Sequence, residues 1–195
     1  MIFSDESKEI SKRGEDLKLK LPEALDLIYN NSDQSKKYYL LPQSIYKDFS
    51  DLLPDIDLPK YENKKNEHVI NLCIGEAGVN TRLHYDTSNS FLTQIVGRKR
   101  VRLFAPADSH NIYPYAINDN FLGSDPSVYI SRIRNTDLVN YNEFPNLKKI
   151  TCFEGILSPG DLLFIPAGWW HEAKYLDISY VCSKTAQLKS VIKIQ

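Results

Sequence analysis

Charge of either sign is not in excess in this chain: 24 Lys and Arg stand against 25 Asp and Glu over 195 residues, a formal net charge of −1. That balance removes the general electrostatic case for a nucleic-acid binder, although a local basic patch stays compatible with it. No apolar run approaches the roughly 20 residues that a helix needs to cross a bilayer. The opening residues, Met1-Ile2-Phe3-Ser4-Asp5-Glu6, lack the architecture of a signal peptide. Cysteine is scarce: Cys73, Cys152 and Cys182 are odd in number, widely spaced, and form no Cys-x-x-Cys. A zinc ribbon or a redox pair is therefore unsupported. Three reduced thiols, each in an apolar strand-like run, are expected in the core of a cytoplasmic or nuclear protein. Internal repeats and low-complexity segments are absent, and nothing in the chain sets its oligomeric state.

What is present fits one globular domain. Hydrophobic residues make up 42% and charged residues 25%, ordinary values for a chain long enough to bury a core. Residues 4–20 are dense in charge and read as a solvated segment, followed by a short helix over Pro22–Tyr29 with Leu21, Leu25 and Ile28 on one face. We divide the chain into this charged segment and helix (1–35), a β-rich domain (36–185) and a tail (186–195). Strands are expected at Tyr38–Leu41, His68–Ile74, Phe91–Val96, Lys99–Phe104, Ile150–Leu157, Leu162–Ile165 and Asp177–Ser183, with Gln43–Leu53 open to helix. Gly97-Arg98 predicts a tight hairpin turn. Many short strands between Gly and Pro turns, without βα alternation, point to a sandwich or barrel of the jelly-roll type. Residues 107–148 form a long polar and aromatic excursion, expected to wall a substrate cleft.

Two stretches carry the chemistry. Thr81-Arg82-Leu83-His84-Tyr85-Asp86 sets a histidine and a carboxylate two apart, on one face of an extended strand. Ile165-Pro166-Ala167-Gly168-Trp169-Trp170-His171 supplies a second imidazole after a buried strand. Two imidazoles and one carboxylate are the ligand set of a facial iron triad with open positions. A hydrogen-bonded His84–Asp86 pair beside an unrelated His171 is the plain alternative. Parity adds another signal: Lys99, Val101 and Leu103 share one face of a hairpin strand, so Lys99 is expected to look inward. A buried ammonium needs an anion, and a bound anionic cosubstrate would supply one, unless Lys99 reaches water from the strand end. Trp169 and Trp170 read as core.

His84-Tyr85-Asp86, then Phe91 to Pro106, resembles the Jumonji C (cupin-like) family of iron(II)- and 2-oxoglutarate-dependent oxygenases. So does Ser158-Pro159-Gly160-Asp161-Leu162-Leu163-Phe164-Ile165-Pro166 leading to Trp169-Trp170-His171, and the similarity runs over about residues 36–185. Ile112-Tyr113-Pro114-Tyr115 and Asn142-Glu143-Phe144-Pro145-Asn146 resemble its small hydroxylase branch, which includes the asparaginyl hydroxylase of hypoxia-inducible factor and the tRNA wybutosine hydroxylase. The resemblance implies a double-stranded β-helix (jelly-roll) with a few flanking helices. It implies iron(II) on His84, Asp86 and His171, and 2-oxoglutarate with its distal carboxylate on Lys99, Thr81 and Tyr39, Tyr38 competing for the last place. Thr81 has the opposite parity to His84, which requires a bulge near Arg82. The implied activity uses dioxygen to hydroxylate a protein side chain or an RNA base, releasing succinate and carbon dioxide. Lysine demethylation is less expected, since that branch more often has Glu in place of Asp86. The chain departs from the branch at Ser90 and in Ile178–Ser183, which lacks the usual Asn and Trp. A non-catalytic module, or a metal-dependent cupin enzyme that does not use 2-oxoglutarate, are the alternatives.

Overall fold

The computed structural model describes residues 19–33, 35–55, 69–115 and 128–186. A first helix, α1 (Leu21–Tyr29), begins at Leu21-Pro22, and the Glu23 carboxylate accepts from the Lys20 N–H at its start. Ala24 and Ile28 are its buried residues, while Leu21 is left exposed. Ten strands follow: β1 (Tyr39–Ser44), β2 (Val69–Gly75), β3 (Asn80–Asp86), β4 (Asn89–Val96), β5 (Lys99–Phe104), β6 (Val128–Ile130), β7 (Phe153–Leu157), β8 (Leu162–Ile165), β9 (Trp170–Tyr175) and β10 (Ser179–Ala186). A one-turn helix, α2 (Ile45–Asp48), and a 3₁₀ segment at Ser50–Asp55 follow β1.

The strands pair antiparallel into two five-stranded sheets, ordered β1-β2-β10-β4-β8 and β6-β3-β9-β5-β7. Chain neighbours β2 and β3, β4 and β5, β7 and β8 therefore lie in different sheets, the alternation of a jelly-roll. The hairpin expected at Gly97-Arg98 is instead a crossing between sheets, β4 pairing with β10 and β8 and β5 with β7 and β9. Gly97 makes that crossing possible. It sits at φ 71°, and a Cβ there would come 2.2 Å from the Ile178 carbonyl oxygen, so only glycine fits.

Each sheet is clad on its outer face. Over the first, Ile28 and Ile45 from the helices join Leu40, Ile70, Leu72 and Ile74, with Tyr38 and Cys182 against them. Over the second, Ile112, Ile133 and Leu147 from the long excursion pack on Leu83, Phe104 and Trp170. The described parts of that excursion thus do two things: Ile112, Ile133 and Leu147 clad the outer side of the sheet, while β6 extends its edge beside β3, with Ile130 opposite His84 and Val128 opposite Asp86. Trp170 is core, as expected, and fully buried. A network on the same outer side ties Arg102 to Asp137 (2.7 Å), to Glu154 (2.6 Å) and to the buried Glu172 (3.5 Å). Of the three cysteines only Cys73 is fully buried; Cys182 is half-buried and Cys152 exposed, because Cys152 precedes an edge strand with few buried positions. His68 and most of the charged N-terminal segment lie outside the described residues.

Candidate metal and cosubstrate site

The two sheets leave one face of each strand for the interior. Strand β9 runs between β3 and β5, so its inward residues meet both. His171 stands opposite His84 on one side and Leu103 on the other, Ala173 opposite Thr81 and Val101, and Tyr175 opposite Lys99. The β3–β9 register slips between Thr81 and His84, two residues on β3 (Arg82 and Leu83) facing one on β9 (Glu172). That is the bulge the parity of Thr81 required, and it lets both Thr81 and His84 face inward.

The His84 and His171 rings lie 4.1 Å apart between centroids. His171 Nε2 is 3.9 Å from an Asp86 carboxylate oxygen, and one ligand atom from each of the three residues lies within 4.8 Å of the others. The turn before β9 secures this: Gly168 takes φ 79°, and its N–H donates to the Asp86 carbonyl at 2.9 Å. The imidazoles are also oriented. His84 Nδ1 lies 2.6 Å from the Arg82 carbonyl and His171 Nδ1 lies 3.0 Å from the Trp169 carbonyl. A carbonyl only accepts, so both rings carry the proton on Nδ1 and present a bare Nε2, the atom a metal takes. Burial, and then the neighbouring His84, push the His171 pKa down to about 3, so its ring stays neutral and ligand-competent. The donor set of two nitrogens and one carboxylate fits iron(II).

Lys99 is buried, and its ammonium sits 4.1 Å from the centroid of the Tyr175 ring. Among the described residues no carboxylate pairs with it, and burial lowers its pKa to about 8. Tyr39 lies edge-on to Tyr175, centroids 5.6 Å apart, whereas Tyr38 belongs to the outer apolar cluster. Of the two tyrosines it is therefore Tyr39 that reaches the neighbourhood of Lys99. Thr81 is differently employed: its hydroxyl accepts from the Ala173 N–H at 2.8 Å and donates to the Ala173 carbonyl at 3.3 Å, mending the ladder beside the bulge. Cys73, read from the sequence only as a core thiol, and Tyr175, which no sequence motif marks, both flank Tyr39. Tyr175 was legible in principle: it is four residues beyond His171, hence on the same strand face.

A family model described as a cupin-like domain matches residues 3–186. The chain is 35% identical over 154 residues to lysine-specific demethylase 8 of Xenopus tropicalis, covering 74% of this chain and 32% of that protein. It is 33% identical over 169 residues to JmjC domain-containing protein D of Dictyostelium discoideum, covering 79% and 36%. Over 147 residues it is 33% identical to tRNA wybutosine-synthesizing protein 5 of Gallus gallus, covering 71% and 42%. The chain thus spans 32 to 42% of the length of these relatives. No helix among the described residues is long and apolar enough to cross a membrane. With a match over nearly its whole length, and with two antiparallel sheets enclosing a His-x-Asp and a distant histidine, the chain belongs to the cupin-like JmjC family.

Proposed function

We propose that this protein is an iron(II)- and 2-oxoglutarate-dependent oxygenase that hydroxylates a protein side chain or an RNA base. One observation carries the reading: the triad of His84, Asp86 and His171 shares an interior with a buried lysine that has no carboxylate partner among the described residues. A metal site alone would not need that ammonium, and a dianionic cosubstrate would. When bound, iron(II) and 2-oxoglutarate supply the oxidising power that places one oxygen atom of dioxygen on a C–H bond, with succinate and carbon dioxide as products.

The chain's own residues then have distinct tasks. His84 and His171 offer Nε2, held by the Nδ1 bonds to the Arg82 and Trp169 carbonyls; Asp86 adds the carboxylate and reduces the net charge of the site. Lys99 and Tyr39 hold the distal carboxylate by charge-assisted hydrogen bonds, Lys99 four residues along β5 from Leu103, the residue opposite His171. Phe153 and Trp169, rings 5.9 Å apart, lie at the His171 end of the interior rather than the Lys99 end, because Phe153 pairs with Leu103 in register. The relatives' names point to lysine side chains for one and to tRNA for another, which is why both substrate classes are kept here.

The test is anaerobic titration with iron(II) and 2-oxoglutarate, watching for the visible metal-to-ligand charge-transfer band, followed by succinate release over a panel of peptides and RNAs. A band, and succinate with one substrate class, is the expected outcome. Metal binding with no response to 2-oxoglutarate would leave a cupin enzyme of another kind, and neither binding would leave a non-catalytic module.

A further inference from the structure

The blind end of the interior holds a side chain that the packing alone does not explain. Tyr175 is completely buried on β9. Its ring is well used: it faces the Lys99 ammonium at 4.1 Å and meets Tyr39 edge-on. It also dictates its neighbour, since a Cβ on Gly75 would come within 2.9 Å of the Tyr175 ring and 3.1 Å of the Tyr39 ring. The hydroxyl is another matter. Its nearest polar neighbours are the Tyr39 hydroxyl, close enough to interact as a hydrogen-bond partner, and the Cys73 thiol. The Tyr39 approach falls short of full hydrogen-bonding geometry and leaves the buried oxygen without a well-formed bond among the described residues. Phenylalanine would give the same ring contacts without burying a polar atom whose one near partner is poorly aligned. A hydroxyl kept at that cost is explained by an acceptor that comes and goes.

Thr81 supplies the complementary observation. The hydroxyl expected to hold the distal carboxylate is occupied on both sides by the Ala173 backbone. A carboxylate has four lone-pair directions, and with Thr81 engaged, Lys99 and Tyr39 fill only part of them. Tyr175 stands directly opposite Lys99 in the β5–β9 register. We infer that Tyr175 takes the place of Thr81: its hydroxyl donates to the distal carboxylate of the 2-oxoacid, and its ring forms the floor that limits the acid to five carbons. This rests on the oxygenase reading and adds to it a length-selecting residue peculiar to the way this chain fills its interior.

Calorimetric titration of the Mn(II)-loaded protein under anaerobic conditions tests it, with 2-oxoglutarate and the one-carbon-longer 2-oxoadipate as ligands. Binding of Mn(II) itself is followed by electron paramagnetic resonance. Tyr175→Phe is expected to bind Mn(II) as the parent does and 2-oxoglutarate about tenfold to a hundredfold more weakly, the loss for a hydrogen bond to a charged group. Tyr175→Leu is expected to shift preference toward 2-oxoadipate. Unchanged 2-oxoglutarate affinity in Tyr175→Phe overturns the inference while the oxygenase reading stands. Loss of Mn(II) binding in that variant also overturns it, by making Tyr175 structural. A parent protein that takes Mn(II) but neither acid overturns the oxygenase reading, and this inference falls with it.

Discussion

Lys99→Met separates what the fold wants from what the ligand wants. In the free protein the Lys99 ammonium is buried, with a ring rather than a carboxylate against it. Its pKa, lowered by burial from 10.5 to about 8, corresponds to about 3 kcal/mol against the charged form in the folded state. A desolvated cation over a tyrosine face can return up to ~2 kcal/mol, leaving a net cost of about 1–2 kcal/mol at pH 7. Methionine keeps most of the stem and discards the charge. Lys99→Met should therefore be more stable than the parent at pH 7, by roughly 2–8 °C in melting temperature for a chain of this size. The pH dependence has a definite sign. Below pH 8 folded and unfolded states both carry the proton. Between about 8 and 10.5 the unfolded chain binds more protons than the folded one, so the parent gains stability as pH rises and the gap to the variant closes. The same variant should lose 2-oxoglutarate binding. Differential scanning calorimetry of metal-free protein at pH 7 and pH 10, beside anaerobic 2-oxoglutarate titration, reads both effects. A variant less stable than the parent at pH 7, or a gap indifferent to pH, would refute the reasoning; so would undiminished 2-oxoglutarate binding.

Removing one ligand at a time, by His84→Ala, Asp86→Ala or His171→Ala, should weaken Mn(II) binding by at least a hundredfold while circular dichroism stays unchanged, since none of the three belongs to the apolar clusters; unweakened binding in all three variants would mean that the cation sits elsewhere. Gly97→Ala should destabilise the fold by several kcal/mol or prevent soluble expression, because its Cβ would meet the Ile178 carbonyl at 2.2 Å; wild-type denaturant stability would count against the described β4–β5 crossing. Glu172→Ala leaves Arg102 without its buried partner and the Thr136 N–H without its 3.2 Å acceptor, and should cost about 3 kcal/mol in urea unfolding. Asp137, held at a pKa of about 2 by the Arg100 and Arg102 guanidiniums against the cost of burial, contributes stability present above pH 4 and lost as pH falls toward 2. At so open a site that share is about 1 kcal/mol after screening, and Asp137→Asn should remove that part of the acid dependence.

How far the sequence could be read differs from element to element. The hairpin expected at Gly97-Arg98 was not formed, and local pattern could not tell, since a glycine turn looks the same whether the chain returns in one sheet or crosses to the other. Strand β5 itself was legible because Lys99–Phe104 alternates. Strand β9 was not: Trp170-His171-Glu172-Ala173-Lys174-Tyr175 buries both faces, five of its six residues being buried, so no alternation betrays it. The polar-looking Glu172 is buried because Arg102 and Thr136 reach it from elsewhere in the chain. Cys152 misled in the other direction, an apolar residue beside an edge strand that few neighbours cover.

By itself the chain determined its class, its ligand types and the inward face of Lys99, since these follow from residue chemistry and from the period-two geometry of a strand. Tertiary structure decided what depends on register and cladding. It brought His171 opposite His84, and it committed Thr81 to the Ala173 backbone. It laid Ile112, Ile133 and Leu147 of the long excursion on the outer side of a sheet, set Ile130 opposite His84, and stood Tyr175 against Lys99. Each of those is a meeting of residues far apart in sequence. A one-residue slip between strands would undo any of them, and local pattern does not encode such a slip.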